Sequence, residues 1–193
     1  MLSYLIPAIR AYFSKKRIVI EDIPPGRILD IGGGGEGIIA QIGGGKVTAI
    51  DKLESEIEEA RPKAPTANWK LEDARDLSFE DGSFDHATAF FSLMYMRKPG
   101  VKEEALAEVF RVLSPGGEFW IWDANIPGTK ETFIIFLKIE LPSGKIVKTG
   151  YGAKGKGKQT VEEISNMLQE IGFEVNVVSS DKAWFFLKAI KPI

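Results

Sequence analysis

The 193-residue sequence contains no cysteine and a single histidine, His86. The first absence excludes disulfides, a thiolate nucleophile and any cysteine-ligated zinc or iron–sulfur centre. The second leaves His86 without a partner for a histidine-based metal cluster, so no metal site is expected. No apolar stretch approaches the roughly 18 residues that a membrane span requires. The first twenty residues also lack a cleavable-leader pattern, because their basic residues follow the apolar run and Pro7 interrupts it. Charge of one sign is missing too: the formal net charge is -2, which gives no general reason to expect nucleic acid. These absences point to a single cytoplasmic domain over residues 1–193 with no membrane partner, burying roughly 70% of its unfolded surface.

Glycine is what the chain has in excess. Nine of its 20 glycines fall between Gly26 and Gly45, so the excess is local. Around it, strands and helices alternate. RILDI (27–31), KVTAID (46–51), NWKLED (68–73), FDHATAFFSL (84–93) and EFWIWD (118–123) read as strands. Short helices are expected over 38–42 and 53–60, and a longer one over 102–113, ended by Ser114-Pro115-Gly116-Gly117. Thr160 and Glu163 form a capping box that starts another helix. FEVNVVS and AWFFLKAI then make a terminal strand pair across a turn at 180–182. Residues 3–14 are expected as a helix, placed with the rest of 1–23 in an N-terminal helix or lid.

This alternation implies a parallel α/β sheet with helices on both faces. Its ligand site should lie beyond the carboxyl ends of the strands, where Asp30, Asp51, Asp73, the 90–92 stretch and Asp123 each end one. One segment breaks the pattern. TFIIFLKIE and KIVKTGY flank Leu141-Pro142-Ser143-Gly144, which predicts an inserted β-hairpin near 131–151.

Gly32, Gly34 and Gly37 match G-x-G-x-x-G, and Asp51 stands 19 residues after Gly32, as in a dinucleotide fingerprint. Asp30 argues against that ligand. A pyrophosphate at the loop is opposed by a carboxylate ending the strand, by Glu36 inside the loop, and by Asp73 and Asp123 at other strand ends. Such a ring of acids suits a cationic ligand, and S-adenosylmethionine carries a sulfonium, an amino group and a ribose diol but no phosphate.

Four blocks in order, ILDIGGGGEG, VTAIDKL, LEDARDLSFEDGSFDHATAFFSLMYM and LAEVFRVLSPGGEFWIWD, resemble the class I S-adenosylmethionine-dependent methyltransferases of the small-molecule type. The resemblance runs from about residue 25 to 123. It implies a Rossmann-like, doubly wound, seven-stranded and mostly parallel sheet with an antiparallel C-terminal strand pair. It makes residues 25–123 a cofactor-binding core, followed by the hairpin and a basic loop (131–158) and a C-terminal helix and strand pair (160–193). The third glycine of the family pattern falls where this chain has Glu36, a displacement of one residue to Gly37.

By the resemblance, Asp30 orders the methionine amino group and Asp51 takes the ribose hydroxyls. Gly32 and Gly34 let the backbone approach the cofactor, Lys52 or Leu53 packs against the adenine, and Asp73 with Ala74 reads its edge. One of Phe90 and Phe91 lines the cofactor while the other joins the core. The implied reaction is methyl transfer to an O, N or S atom of a small acceptor. A non-catalytic cofactor-binding regulator and a NAD-dependent oxidoreductase are the alternatives. No catalytic residue is identified, although Tyr95, Asp123, Asn125 and Tyr151 could lie within reach. The segment 138–158 has six lysines and one acid, so its basic loop (145–158) is expected to face an anionic substrate or RNA. His86, Trp120 and Trp122 read as packing residues. The sequence carries no signal for the oligomeric state.

Overall fold

The computed structural model describes residues 15–128, 132–154 and 157–193. The expected helix over 3–14 lies outside them. The next residues, expected in the same helix or lid, form a strand instead, β1 (Lys16–Val19). Their β-branched run alternates Ile18 and Ile20 into the core.

β2 (Ile28–Ile31) leads through the glycine loop to α1 (Ile38–Gly43), and β3 (Val47–Asp51) to α2 (Glu54–Ala60). β4 (Asn68–Leu71), β5 (Phe84–Phe90), α3 (Val101–Val112) and β6 (Leu113–Ala124) come next. The inserted segment comprises β7 (Ile126–Pro127), β8 (Thr132–Glu140), β9 (Ile146–Lys154) and β10 (Lys158–Gln159). α4 (Val161–Ile171), β11 (Glu174–Ser180) and β12 (Trp184–Ile190) complete the chain.

The main sheet has the order β4-β3-β2-β5-β6-β12-β11. Its first five strands are parallel, and β12 runs antiparallel to both β6 and β11. The expected doubly wound architecture is therefore present, antiparallel pair included. Every residue of β2 is buried, as a central parallel strand with both faces covered requires. β6 begins earlier than its expected start at 118. Leu113 already pairs with Phe84, and the register then jumps so that Glu118 meets His86.

Local signals position the helices. The Thr160 hydroxyl accepts from the Glu163 N–H while Glu163 accepts from the Thr160 N–H, so α4 starts where its capping box places it. Ala105, Leu106, Val109 and Val112 of α3 share one core cluster with Ile164 and Leu168 of α4. That cluster covers one face of the sheet.

The other face is covered differently from the expected layer of helices. β8 and β9 pair antiparallel along nine residues, confirming the hairpin, and β1 joins β8 in parallel. The inward side chains of this three-stranded sheet, including Ile18, Leu137, Ile139 and Val147, pack with Ile38 and Ile39 of α1 and with Ile28, Val47 and Trp122 of the main sheet. The insertion is pinned at its base, where Ile126 pairs with Gln159 and Pro127 with Lys158. Among the described residues no helix is long and apolar enough to cross a membrane.

Candidate functional site

Beyond the carboxyl ends of β2, β3 and β5 lies a cavity of about 820 Å³. All nine residues expected to hold a cofactor line it: Asp30, Gly32, Gly34, Asp51, Lys52, Asp73, Ala74, Phe90 and Phe91. Short parallel strands place them there by ending at one level, and the glycine loop turns back before it can cover the opening.

The loop's backbone is committed to the protein. The Gly33 N–H donates to the Ile50 carbonyl at 2.9 Å and the Gly35 N–H to the Glu56 carbonyl at 2.8 Å. The Gly34 N–H points to the Asp51 carboxylate at 3.3 Å. The glycines also serve a purpose other than the expected one of admitting a ligand. Gly32 adopts φ +65°, and a Cβ there would come within 2.6 Å of the Ser92 Cβ. A Cβ on Gly34 would lie 2.5 Å from the Glu56 Cβ and 2.8 Å from an Asp51 oxygen. Side chains at these positions are excluded by neighbouring protein atoms before any ligand is considered.

Glu36, which displaces the family pattern, has a defined partner. The Lys63 ammonium sits among the Gly35 carbonyl at 2.9 Å, Glu36 at 3.2 Å and Glu59 at 2.9 Å. Burial opposes its charge, but the hydrogen bonds it donates to both glutamates hold its pKa above the usual value. On the other side of the loop, Gln41 donates to the Glu36 carbonyl and accepts from Lys145 of the hairpin turn, both at 2.6 Å. The Gly43–Gly45 run makes a tight exit from α1, with Gly44 at φ +52° and no room for a Cβ on Gly43 beside Val47 and Ile23.

Carboxylates dominate the walls: seven acids line the cavity against Lys52, Arg75, Arg97 and Lys98. Asp30 is buried and accepts from the Thr88 hydroxyl at 2.8 Å. Burial pushes its pKa up to about 7 against that hydrogen bond, with Asp51 adding to the rise. Glu56 is raised by burial and by Asp51 and Glu59. Asp73 is instead lowered by its hydrogen bond from Arg75, at 2.8 Å.

Asp123 and Asn125 are not among the lining residues, contrary to the reach expected of them. Asp123 is fully buried and accepts from the Leu93 N–H at 2.8 Å, the Ala124 N–H at 2.6 Å and the Gln159 amide at 2.8 Å. It ties the end of β6 to the turn after β5 and to the base of the insertion. Burial still raises its pKa, to about 6. Asn125 is turned to the Asp181 carbonyl.

Phe90 and Phe91 are both buried and both line the cavity, so the expected division between core and site does not occur. Phe91 escapes strand alternation by adopting φ +52° while its N–H donates to the Trp122 carbonyl at 2.7 Å. Tyr95 and Tyr151 also line the wall, Tyr151 brought by the inserted β9 together with Thr149. Their inward placement follows from two-residue alternation with the buried Val147 and Ala153, a signal the sequence did contain. Burial raises the pKa of both tyrosines, strongly for Tyr151. Ser92, the last residue of the expected 90–92 stretch, is buried in the wall with an unpartnered hydroxyl.

The described hairpin lysines do not line the cavity. Lys145 is held by Gln41, Lys158 pairs with Glu163 at 3.0 Å, and Lys148 and Lys154 alternate outward on β9. Lys156 lies outside the described residues. His86 stands in the third position of β5, beside Ile28 and Glu118, and is no part of the lining. The described residues contain no cluster of His, Asp or Glu able to hold a metal.

A family model described as a methyltransferase domain matches residues 29–121. A ubiquinone/menaquinone biosynthesis C-methyltransferase of Ruegeria sp. is 33% identical over 174 residues, covering 78% of this chain and 67% of that protein. A demethylmenaquinone methyltransferase of Listeria monocytogenes is 32% identical over 144 residues, 67% of this chain and 60% of its own length. Against such relatives the chain spans from 41% to 67% of their length. A solved S-adenosylmethionine-dependent methyltransferase structure from Methanosarcina mazei superposes with a TM-score of 0.63 at 24% identity, covering 97% of this chain and 98% of that one.

Proposed function

This chain belongs to the class I S-adenosylmethionine-dependent methyltransferase family, and from that membership we propose that it transfers a methyl group to a small-molecule acceptor. The observation that carries the choice of cofactor is the commitment of the glycine loop. Its N–H groups at Gly33, Gly34 and Gly35 donate to protein acceptors, one of them a carboxylate. A pyrophosphate would need those donors and would meet seven carboxylates. A cation with hydroxyl groups meets neither obstacle, so S-adenosylmethionine fits the residues present and NAD does not.

When bound, S-adenosylmethionine supplies an electrophilic methyl group on its sulfonium and a neutral thioether as leaving group. The protein's part is to hold, orient and exclude water, effects that together supply about 7–11 kcal/mol. Asp51 is aimed by the Gly34 and Leu53 N–H groups and serves the ribose hydroxyls. Asp30 serves the amino group, a cation that restores the charge its burial disfavours. Asp73 and Ala74 read the adenine edge, and Lys52 packs near the ring. The unpartnered Ser92 hydroxyl provides one further hydrogen bond to a bound ligand.

Phe90, Phe91 and Tyr151 form a dry aromatic wall suited to a flat acceptor. Tyr95 and Tyr151, with raised pKa values, act there as hydrogen-bond donors and not as bases. Carbon joins O, N and S as a candidate attacking atom, because relatives are named for C-methyl transfer. Any preference for an anionic acceptor rests with Arg97 and Lys98, which line the cavity, and not with the hairpin lysines.

Calorimetry with S-adenosylmethionine, S-adenosylhomocysteine and NAD tests the cofactor, and methyl release across small metabolites tests the reaction. We expect the first two to bind and NAD not to. Asp51→Ala should weaken S-adenosylmethionine about ten- to a hundredfold, the loss of a charged hydrogen-bond acceptor. Tight NAD binding would overturn the cofactor assignment. Binding without turnover across a broad acceptor panel would leave a regulatory binder.

A further inference from the structure

The three-stranded sheet presents its outer face, turned away from the cavity, with a charge arrangement that works against its own stability. Alternation places Ile18, Leu137, Ile139 and Val147 inward in the core and the residues between them outward. Arg17 of β1 is registered beside Lys138 of β8, and Lys138 beside Lys148 of β9. Three cations therefore lie abreast across all three strands. Like charges directly opposite one another destabilise a sheet. Glu140 offsets one of them, through its 2.7 Å pair with Arg17. Lys154, opposite Thr132, adds a further positive charge to the same face. The four cations and one acid give it +3, which leaves the rest of the chain at -5.

This basic row has apolar flanks. Val19 and Ile146, each 47% exposed, stand on one side, with the Arg17-paired Glu140 between them, and Ile134 and Phe136, half-buried, on the other. A band of cations bordered by aliphatic side chains matches a surface that is anionic outside and apolar beneath. We propose that this face docks on an anionic lipid bilayer. A nucleic acid would satisfy the cations but would leave the flanks unused. The one aromatic ring among them, Phe136, lies across Gly150 instead of standing out to stack on a base. The expectation of no membrane partner came from the lack of a spanning stretch, which does not bear on attachment to a surface. β9 serves both sides, with Lys148 on the docking face while Thr149 and Tyr151 line the cavity, so a docked bilayer lies against the outer side of the cavity wall.

Flotation of the full chain with phosphatidylglycerol/phosphatidylcholine vesicles, against phosphatidylcholine alone, tests this without using methyl transfer. Its failure would leave the proposed activity standing. We expect binding to the anionic vesicles only, weakening with salt. Lys138→Gln and Lys148→Gln should each reduce partitioning about fivefold, and the triple variant with Lys154→Gln about a hundredfold. The thermal midpoint of each variant should stay unchanged or rise, because repulsion is relieved. Equal binding to both vesicle types, or wild-type partitioning by the triple variant, would overturn the proposal. So would binding of a single-stranded RNA oligonucleotide at protein concentrations where vesicles are not bound.

Discussion

The ring of Tyr151 lies face to face with that of Phe91, centroids 4.9 Å apart and planes 15° from parallel. The contact joins the inserted hairpin to the end of β5, and it holds Phe91 in a left-handed conformation that costs of order 1–3 kcal/mol in a non-glycine residue. Replacing Tyr151 with alanine should cost about 3–5 kcal/mol of unfolding free energy. Tyr151→Phe keeps the stack and should cost less than about 1.5 kcal/mol. Urea unfolding of the two variants measures both, and equal losses would mean that the hydroxyl, not the ring, matters.

Gly34→Ala separates protein packing from ligand access. With Glu56 and Asp51 so close to the missing Cβ, the variant should lose about 1–3 kcal/mol of stability with no ligand present. Wild-type stability combined with lost cofactor binding would instead reserve that space for the ligand.

The buried acids predict opposite pH trends for stability and for binding. Asp30 and Asp123 have folded-state pKa values of about 7 and about 6, above the unfolded value of about 4. The folded chain holds protons that the unfolded chain has released, so their contribution is fully present below about pH 4 and is lost as pH rises through about 7. Asp85, depressed to about 2 by its hydrogen bonds from Arg27, works in the other direction and only below about pH 4. Thermal midpoints of the ligand-free protein should therefore fall from about pH 5 to about pH 8, with a shallower slope in Asp30→Asn. S-adenosylmethionine affinity should rise over the same range, because its amino cation needs the charged carboxylate. Calorimetry at several pH values checks the second trend.

Lys63→Met should loosen the glycine loop by removing the cation shared by Gly35, Glu36 and Glu59. The site is partly exposed, so the expected loss is only about 1–2 kcal/mol. Glu36→Gln, which keeps a hydrogen-bonding side chain, should lose under about 1 kcal/mol. Denaturant midpoints of both variants decide the order, and a larger loss in Glu36→Gln would make the glutamate the anchor.

Features encoded by neighbouring residues were legible in the sequence. The Thr160–Glu163 box, the turn at 141–144 and the acid-then-glycine ending of β2 each form within a few residues, and each sits where it was expected. Features that depend on distant partners were not. β1 pairs with residues 137–140 across more than a hundred positions, and the partner of Glu36 stands on the far side of α2. Asp123 shows the limit for the site itself. An acid ending a strand reads the same whether it meets a ligand or three N–H donors of its own chain.

The short pairing of Ile126–Pro127 with Lys158–Gln159 returns the chain to the point where it left the main sheet. Both ends of the insertion are therefore fixed at one point of the sheet. The insertion's inner face is tied to the core and the cavity wall, but its outer end, at the turn 141–144, can lengthen or shorten while α4 still starts from the same place. A change of length at that outer end is absorbed inside the insertion, and the strand ends that frame the cavity do not move with it.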